Sequence, residues 1–165
     1  MQSIEAGSSR ELIPLLLIRK NADDNGWFNS RVELARQIES IQRKNPELME
    51  KITGKPAPYG FDAERPIPIS EDLFSDLLEL SRSRLVVDEE LPFSERKLST
   101  YHRFRLTPEG VNITDKMLND LIMRRVLREK IVLKAIRSAS EPRKDHRNRF
   151  ETISALIERS LLLPP

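Results

Sequence analysis

The apolar positions of this chain follow two rhythms, one of three to four residues and one of two. From Arg10 to Asn21, "RELIPLLLIRKN" predicts a helix capped by Ser9, with Pro14 within its first turn or so. "ADDNGW" then breaks the pattern, because Asp-Asn-Gly demands turn geometry. In "NSRVELARQIESIQRKNP", Val32, Ala35, Ile38 and Ile41 repeat at helical spacing, with Asn29 or Ser30 as cap and Pro46 as limit. "ELMEKITG" adds a short helical turn. The proline- and glycine-rich "GKPAPYGFDAERPIPIS" predicts an irregular connection.

The clearest helix is "SEDLFSDLLELSRSRL". Ser70 caps it, Glu71 and Asp72 suit the positive end of its dipole, and Arg82 and Arg84 suit the other. Leu73, Phe74, Leu77, Leu78 and Leu80 are its expected buried side. Strict alternation takes over in "LVVDEE" and "YHRFRL", two short strands joined by the polar "LPFSERKLST". In the second strand Tyr101, Arg103 and Arg105 should point one way, and His102, Phe104 and Leu106 the other.

Thr107 and Pro108 open the next helix, and Thr114 offers a second start. From there about twenty-five residues run without a breaker to Ser140-Glu141-Pro142. Leu118, Ile122, Val126, Leu133 and Ile136 form its apolar seam. A last helix, roughly Asp145 to Leu162, offers Phe150, Ile153, Leu156, Ile157 and Leu161. The expected class is mostly α with a small β-hairpin.

Composition changes this picture in two places. The chain has no cysteine, which removes disulfides, thiol nucleophiles and thiolate metal ligands together. The run from Leu12 to Ile18 is too short to cross a bilayer, so a cytoplasmic protein is expected. Charge is divided along the chain: residues 1–115 carry 16 Lys/Arg and 20 Asp/Glu, whereas residues 116–149 carry 11 and 4. Basic character is therefore local, which is what matters for binding polyanions.

Candidate chemistry is sparse. The two histidines, His102 and His146, fall in different elements, and neither a Ser-His-Asp ordering nor a phosphate-cradling loop is present. Helix capping and a solvated strand end account for Glu71-Asp72 and Asp88-Glu89-Glu90. A non-enzymatic protein is expected, with no cofactor and no metal.

Three stretches carry a resemblance. "SRVELARQI" is similar to the scaffold helix of a helix-turn-helix motif. "SEDLFSDLLELSRSRLV" resembles a recognition-position helix running into a first wing strand. "YHRFRLTPEG" resembles the second wing strand with the "YxLTxxG" ending of bacterial and archaeal winged-helix regulators, PadR-type ones among them. The resemblance implies a winged helix-turn-helix core over residues 10–112, followed by a C-terminal helical hairpin over 113–163 that dimerises. It further implies a transcriptional regulator that binds double-stranded DNA as a homodimer.

Chemistry selects the contact residues expected under that reading. These are Arg31, Arg36, Gln37 and Arg43 on the scaffold helix; Ser70, Ser75, Arg82 and Arg84 at the recognition position; Arg96, Lys97, Tyr101, Arg103 and Arg105 on the wing; and Arg143, Lys144, Arg147 and Arg149 beyond it. The dimer seam would join Leu118, Ile122, Val126, Leu133 and Ile136 to Phe150, Ile153, Ile157 and Leu161. One feature opposes groove docking. The outward side of the recognition-position helix, Glu71, Asp72, Ser75, Asp76 and Glu79, should repel phosphates. The alternative is an adaptor whose acidic helix binds a basic protein partner.

Overall fold

Two serines that precede helical patterns do cap helices. Ser30 Oγ accepts from the Glu33 amide at 3.1 Å, and Ser70 Oγ accepts from the Leu73 amide at 3.3 Å. The computed structural model describes residues 10–62, 65–92, 100–124 and 128–140. In chain order the elements are α1 (Leu12–Lys20), α2 (Arg31–Lys44), α3 (Pro46–Thr53), α4 (Glu71–Arg82), β1 (Val86–Pro92), β2 (Thr100–Leu106), α5 (Pro108–Met123) and α6 (Glu129–Ser140). The protein is thus mostly α-helical with a two-stranded antiparallel hairpin.

α1 is the hub. Every residue from Leu12 to Ile18 is buried, and α2, β2, α5 and α6 pack around it. That explains why this stretch lacks a polar face: a helix covered on all sides needs none. Each such side chain contributes roughly 1.5–3 kcal/mol on leaving water. Leu34, Ala35 and Ile38 of α2 and Leu73 of α4 complete the centre at 0% exposure. Among the described residues no helix is long and apolar enough to cross a membrane.

The hairpin register pairs Val86 with Leu106, Asp88 with Phe104 and Glu90 with His102 on one face. Val87 with Arg105, Glu89 with Arg103 and Leu91 with Tyr101 share the other. Phe104 is fully buried and exchanges two 2.8 Å backbone hydrogen bonds with Phe28. That bridge adds a one-residue strand from the connection between α1 and α2, a pairing absent from the sequence pattern.

"LTPEG" forms a joint. Arg84 and Leu85 end α4 with paired bonds, Arg84 N to Ser81 O at 3.1 Å and Leu85 N to Leu80 O at 3.0 Å. This is the Schellman arrangement, and it places Arg84 at φ 58, where glycine is usual. The Leu85 carbonyl then accepts from the Thr107 amide at 3.0 Å, while Thr107 Oγ1 caps α5 by accepting from Gly110 N. A Cβ built on Gly110 would overlap the Leu85 carbonyl oxygen and lie 3.0 Å from its carbon. Glycine is required there by contact, since its own φ is ordinary.

Three expectations need correction. The long C-terminal helix is two helices: α5 ends at Met123 and α6 begins at Glu129. Each packs on α1, and α6 also packs on α2. Leu118 and Ile136, assigned to a dimer seam, are 8% and 5% exposed within the chain's own core. Ile122 packs against that core and Leu133 is half-buried. Leu78, placed on the buried side of α4, is 49% exposed, and Asp76, placed outward, is 7% exposed. Among the described residues one hydrophobic cluster takes in residues from Leu12 to Ala139. Val126, Phe150, Ile153, Ile157 and Leu161 lie outside the described residues.

Candidate interaction site between α4 and the hairpin

Helical geometry turns Glu71, Asp72, Ser75, Leu78, Glu79 and Arg82 outward on α4, all of them exposed. Behind them lies a cleft of ≈ 420 Å³ shared with the hairpin and the start of α2. Its apolar lining is Phe74, Leu77, Leu78 and Phe104, and its polar lining is Arg31, Ser75, Asp88 and His102. The Arg31 guanidinium lies over the Phe74 ring, 4.4 Å from its centroid. His102 Nδ1 sits 2.7 Å from Asp88 Oδ1, and its ring stacks along Phe104 at 6.3 Å. Ser75, His102 and Asp88 share the cleft, and among the described residues no hydrogen bond links Ser75 to His102.

α4 is held by a buried polar cluster that the sequence pattern did not reveal. Arg10 donates to both oxygens of Asp76, at 2.7 and 2.9 Å, and the Tyr59 hydroxyl donates to Asp76 Oδ2 at 2.8 Å. Hydrogen bonding to Asp76 raises the Arg10 pKa against the opposing effect of desolvation. Burial, seconded by the Asp76 charge, pushes the Tyr59 phenol above its ordinary value and keeps it a donor. Tyr59 comes from the proline-rich connection. Gln42 of α2 grips it twice, with Nε2 donating to Tyr59 O at 3.0 Å and Oε1 accepting from Tyr59 N at 2.9 Å. Asp76 is therefore part of the scaffold, and the outward acids of α4 are Glu71, Asp72 and Glu79.

The outer face of the hairpin is occupied from within. Arg103 and Arg105 lie over the ring of Trp27, at 3.9 and 4.4 Å from its centroid. Arg103 also binds Glu89. Trp27 is held in its loop by Asp23, whose carboxylate accepts from the amides of Asn25 and Trp27, each at 2.9 Å, and from Asn29 Nδ2 at 2.7 Å. The Asn29 bond first, then the backbone donors, hold the Asp23 carboxyl below the usual aspartate value. The place of Trp27 under the two arginines is not legible in the sequence, because a lone aromatic after a turn carries no periodic signal.

The scaffold-helix candidates meet a similar fate. Arg36 binds Glu33 and donates to Ala139 O in α6 at 3.1 Å, and hydrogen bonding to Glu33 raises its pKa. Gln37 is 4% exposed and bonded to Asn21 and Glu33. Arg43 pairs with Glu39 one turn away, and Ser70 is 1% exposed at its cap. Ser75, Arg82, Arg84 and Arg105 are exposed, and Tyr101 is half-buried. Arg96, Lys97, Arg143, Lys144, Arg147 and Arg149 lie outside the described residues. No family model matches the chain, and no curated protein or solved structure matches it.

Proposed function

We propose that the chain is a non-enzymatic binding module on a winged-helix scaffold. It uses α4 and the adjoining cleft to hold a basic, partly apolar segment of a protein partner. The scaffold reading is supported by the order helix, bridge strand, three helices, hairpin, and by the joint at Thr107 and Gly110. The partner reading rests on one observation: the exposed acids Glu71, Asp72 and Glu79 share α4 with Phe74, Leu77 and the half-exposed Leu78, which line the cleft. A Lys or Arg beside a Leu or Phe in the partner would match both features, with charge setting orientation and the apolar side chain supplying affinity.

Panning a random-peptide library against the whole protein tests this. Selected peptides should carry a Leu or Phe flanked by Lys or Arg. Their binding should fall at least tenfold in the Glu71→Lys, Asp72→Lys, Glu79→Lys triple variant. Selection of acidic peptides, or undiminished binding by the variant, would overturn it. Asp76 is excluded from the reversal because it is buried and hydrogen-bonded to Arg10 and Tyr59, whereas Asp72 is exposed and lies 3.9 Å from Arg10.

A second reading is a dimeric transcriptional regulator that grips duplex DNA. The exposed Arg82 and Arg84 at the C-terminal end of α4 favour it. Against it stand the acids along the same helix and the engagement of Arg36, Arg43 and Arg103 with carboxylates.

A further inference from the structure

We propose that the solvent face of α6 is a binding surface for the phosphate backbone of duplex nucleic acid. α6 buries Val132, Ala135, Ile136 and Ala139 against α1 and α2. The opposite side presents Lys130, Lys134 and Arg137, all exposed, preceded by the exposed Arg128. At 1.5 Å per residue these three span about 10.5 Å of helix. A duplex carries one charge per ~1.7 Å of axis, so that length meets about six phosphates.

The concentration of exposed cations on one face of α6 carries the argument. Arg10, Arg19, Arg36, Arg43 and Arg103 are each matched to a carboxylate. None of the ion pairs among the described residues includes Arg128, Lys130, Lys134 or Arg137. The only acid in α6 is Glu129, at its first turn. Lys130 and Lys134 stand one turn apart, a like-charge pairing that disfavours the helix. Among the described residues no carboxylate pairs with either lysine to offset that repulsion.

The surface is also rigidly mounted. Asn21 Nδ2 donates to Ile136 O at 3.2 Å, and Arg36 donates to Ala139 O at 3.1 Å, fixing α6 on α1 and α2. With Val132, Ala135, Ile136 and Ala139 buried, Ile131 is the one large apolar side chain that α6 exposes, too little to seat a helix in a bilayer, which favours a polyanion in water over a membrane. The stripe is separate from the α4 cleft: α2 reaches α4 through Arg31 over Phe74, and α6 through Arg36. In sequence, Arg143, Lys144, Arg147 and Arg149 follow within nine residues of Ser140.

Fluorescence anisotropy of a labelled duplex, with the full chain titrated from 50 to 200 mM salt, tests the assignment. Neutralising three phosphates contributes about −2.7 to the slope of log affinity against log salt, or roughly 40-fold over that range. The Lys130→Gln, Lys134→Gln, Arg137→Gln variant should lose that contribution while its far-UV circular dichroism and its capture of α4-selected peptides stay unchanged. An unchanged slope in the variant overturns the proposal, as does the lack of duplex binding by the parent at 50 mM salt. A loss produced instead by Arg82→Gln with Arg84→Gln would move the duplex to α4 and overturn it too. Tighter binding to phosphatidylserine vesicles than to duplex at equal phosphate would assign the stripe to a membrane.

Discussion

Replacing Gly110 with alanine sets two physical effects against each other, with opposite signs. Gly110 is the third residue of α5, where alanine's helix propensity alone would stabilise by about 1 kcal/mol. Contact argues the other way. The new Cβ would lie 3.0 Å from the Leu85 carbonyl carbon, against an ordinary carbon contact of about 3.5–4.0 Å, and would overlap its oxygen. That oxygen cannot swing aside freely, since it accepts from both Thr107 N and Thr107 Oγ1. Relief requires α5 to retreat, weakening the Thr107 cap at about 1 kcal/mol and the Thr107–Leu85 hydrogen bond at about 1 kcal/mol. Overpacking strain adds about 2 kcal/mol. The net expectation is destabilisation by about 3 kcal/mol, which lowers Tm by about 6–12 °C for a chain of this size. Thermal unfolding followed by circular dichroism measures it, with the exposed Asn112→Ala as a control expected within ~0.5 kcal/mol of the parent. A Gly110→Ala Tm equal to or above that of the parent would refute the joint.

Two further outcomes follow from neighbouring geometry. Arg84→Gly removes the left-handed penalty of a non-glycine residue at φ 58 and should stabilise by about 1 kcal/mol, raising Tm by about 2–4 °C; a lower Tm would deny that conformation in solution. The Asp23 carboxyl is held below its ordinary value of 3.8, so its contribution is fully present above that pH and is lost as pH falls through the folded value. Trp27, the sole tryptophan, reports on this loop: its emission should hold steady from pH 7 to 4 and change below, whereas a transition centred near pH 5 would contradict the assignment.

Local signals were legible where a short stretch decides its own structure. The Ser30 and Ser70 caps, the alternation that buries Phe104 and the Thr107-Pro108 start of α5 are all encoded within a few residues. Partnerships across the chain were not. An arginine in a sequence is an exposed cation until its carboxylate is found, and Arg36, Arg43 and Arg103 each found one in the fold. Periodicity placed Asp76 outward because an acid is costly to bury unpaired, yet Arg10, 66 positions away, removes that cost. The seam Leu118–Ile136 looked like a dimer surface because the burial offered by α1 and α2 is a tertiary fact. The helix break after Met123 carries no proline or glycine to announce it.

The double hydrogen bond between Gln42 and Tyr59 has a consequence for how this architecture can vary. A single side-chain amide does the work of a strand pair, and beside it only the buried Pro58 and the core-packed Phe61 hold the described middle of the proline-rich connection. Its span is then set by where that tyrosine must land, and not by any register with a neighbour. The exposed stretch from Lys55 to Ala57 can be rewritten while α2 and α4 stay in place. The connection is thus the segment in which the chain can acquire new recognition without altering its frame.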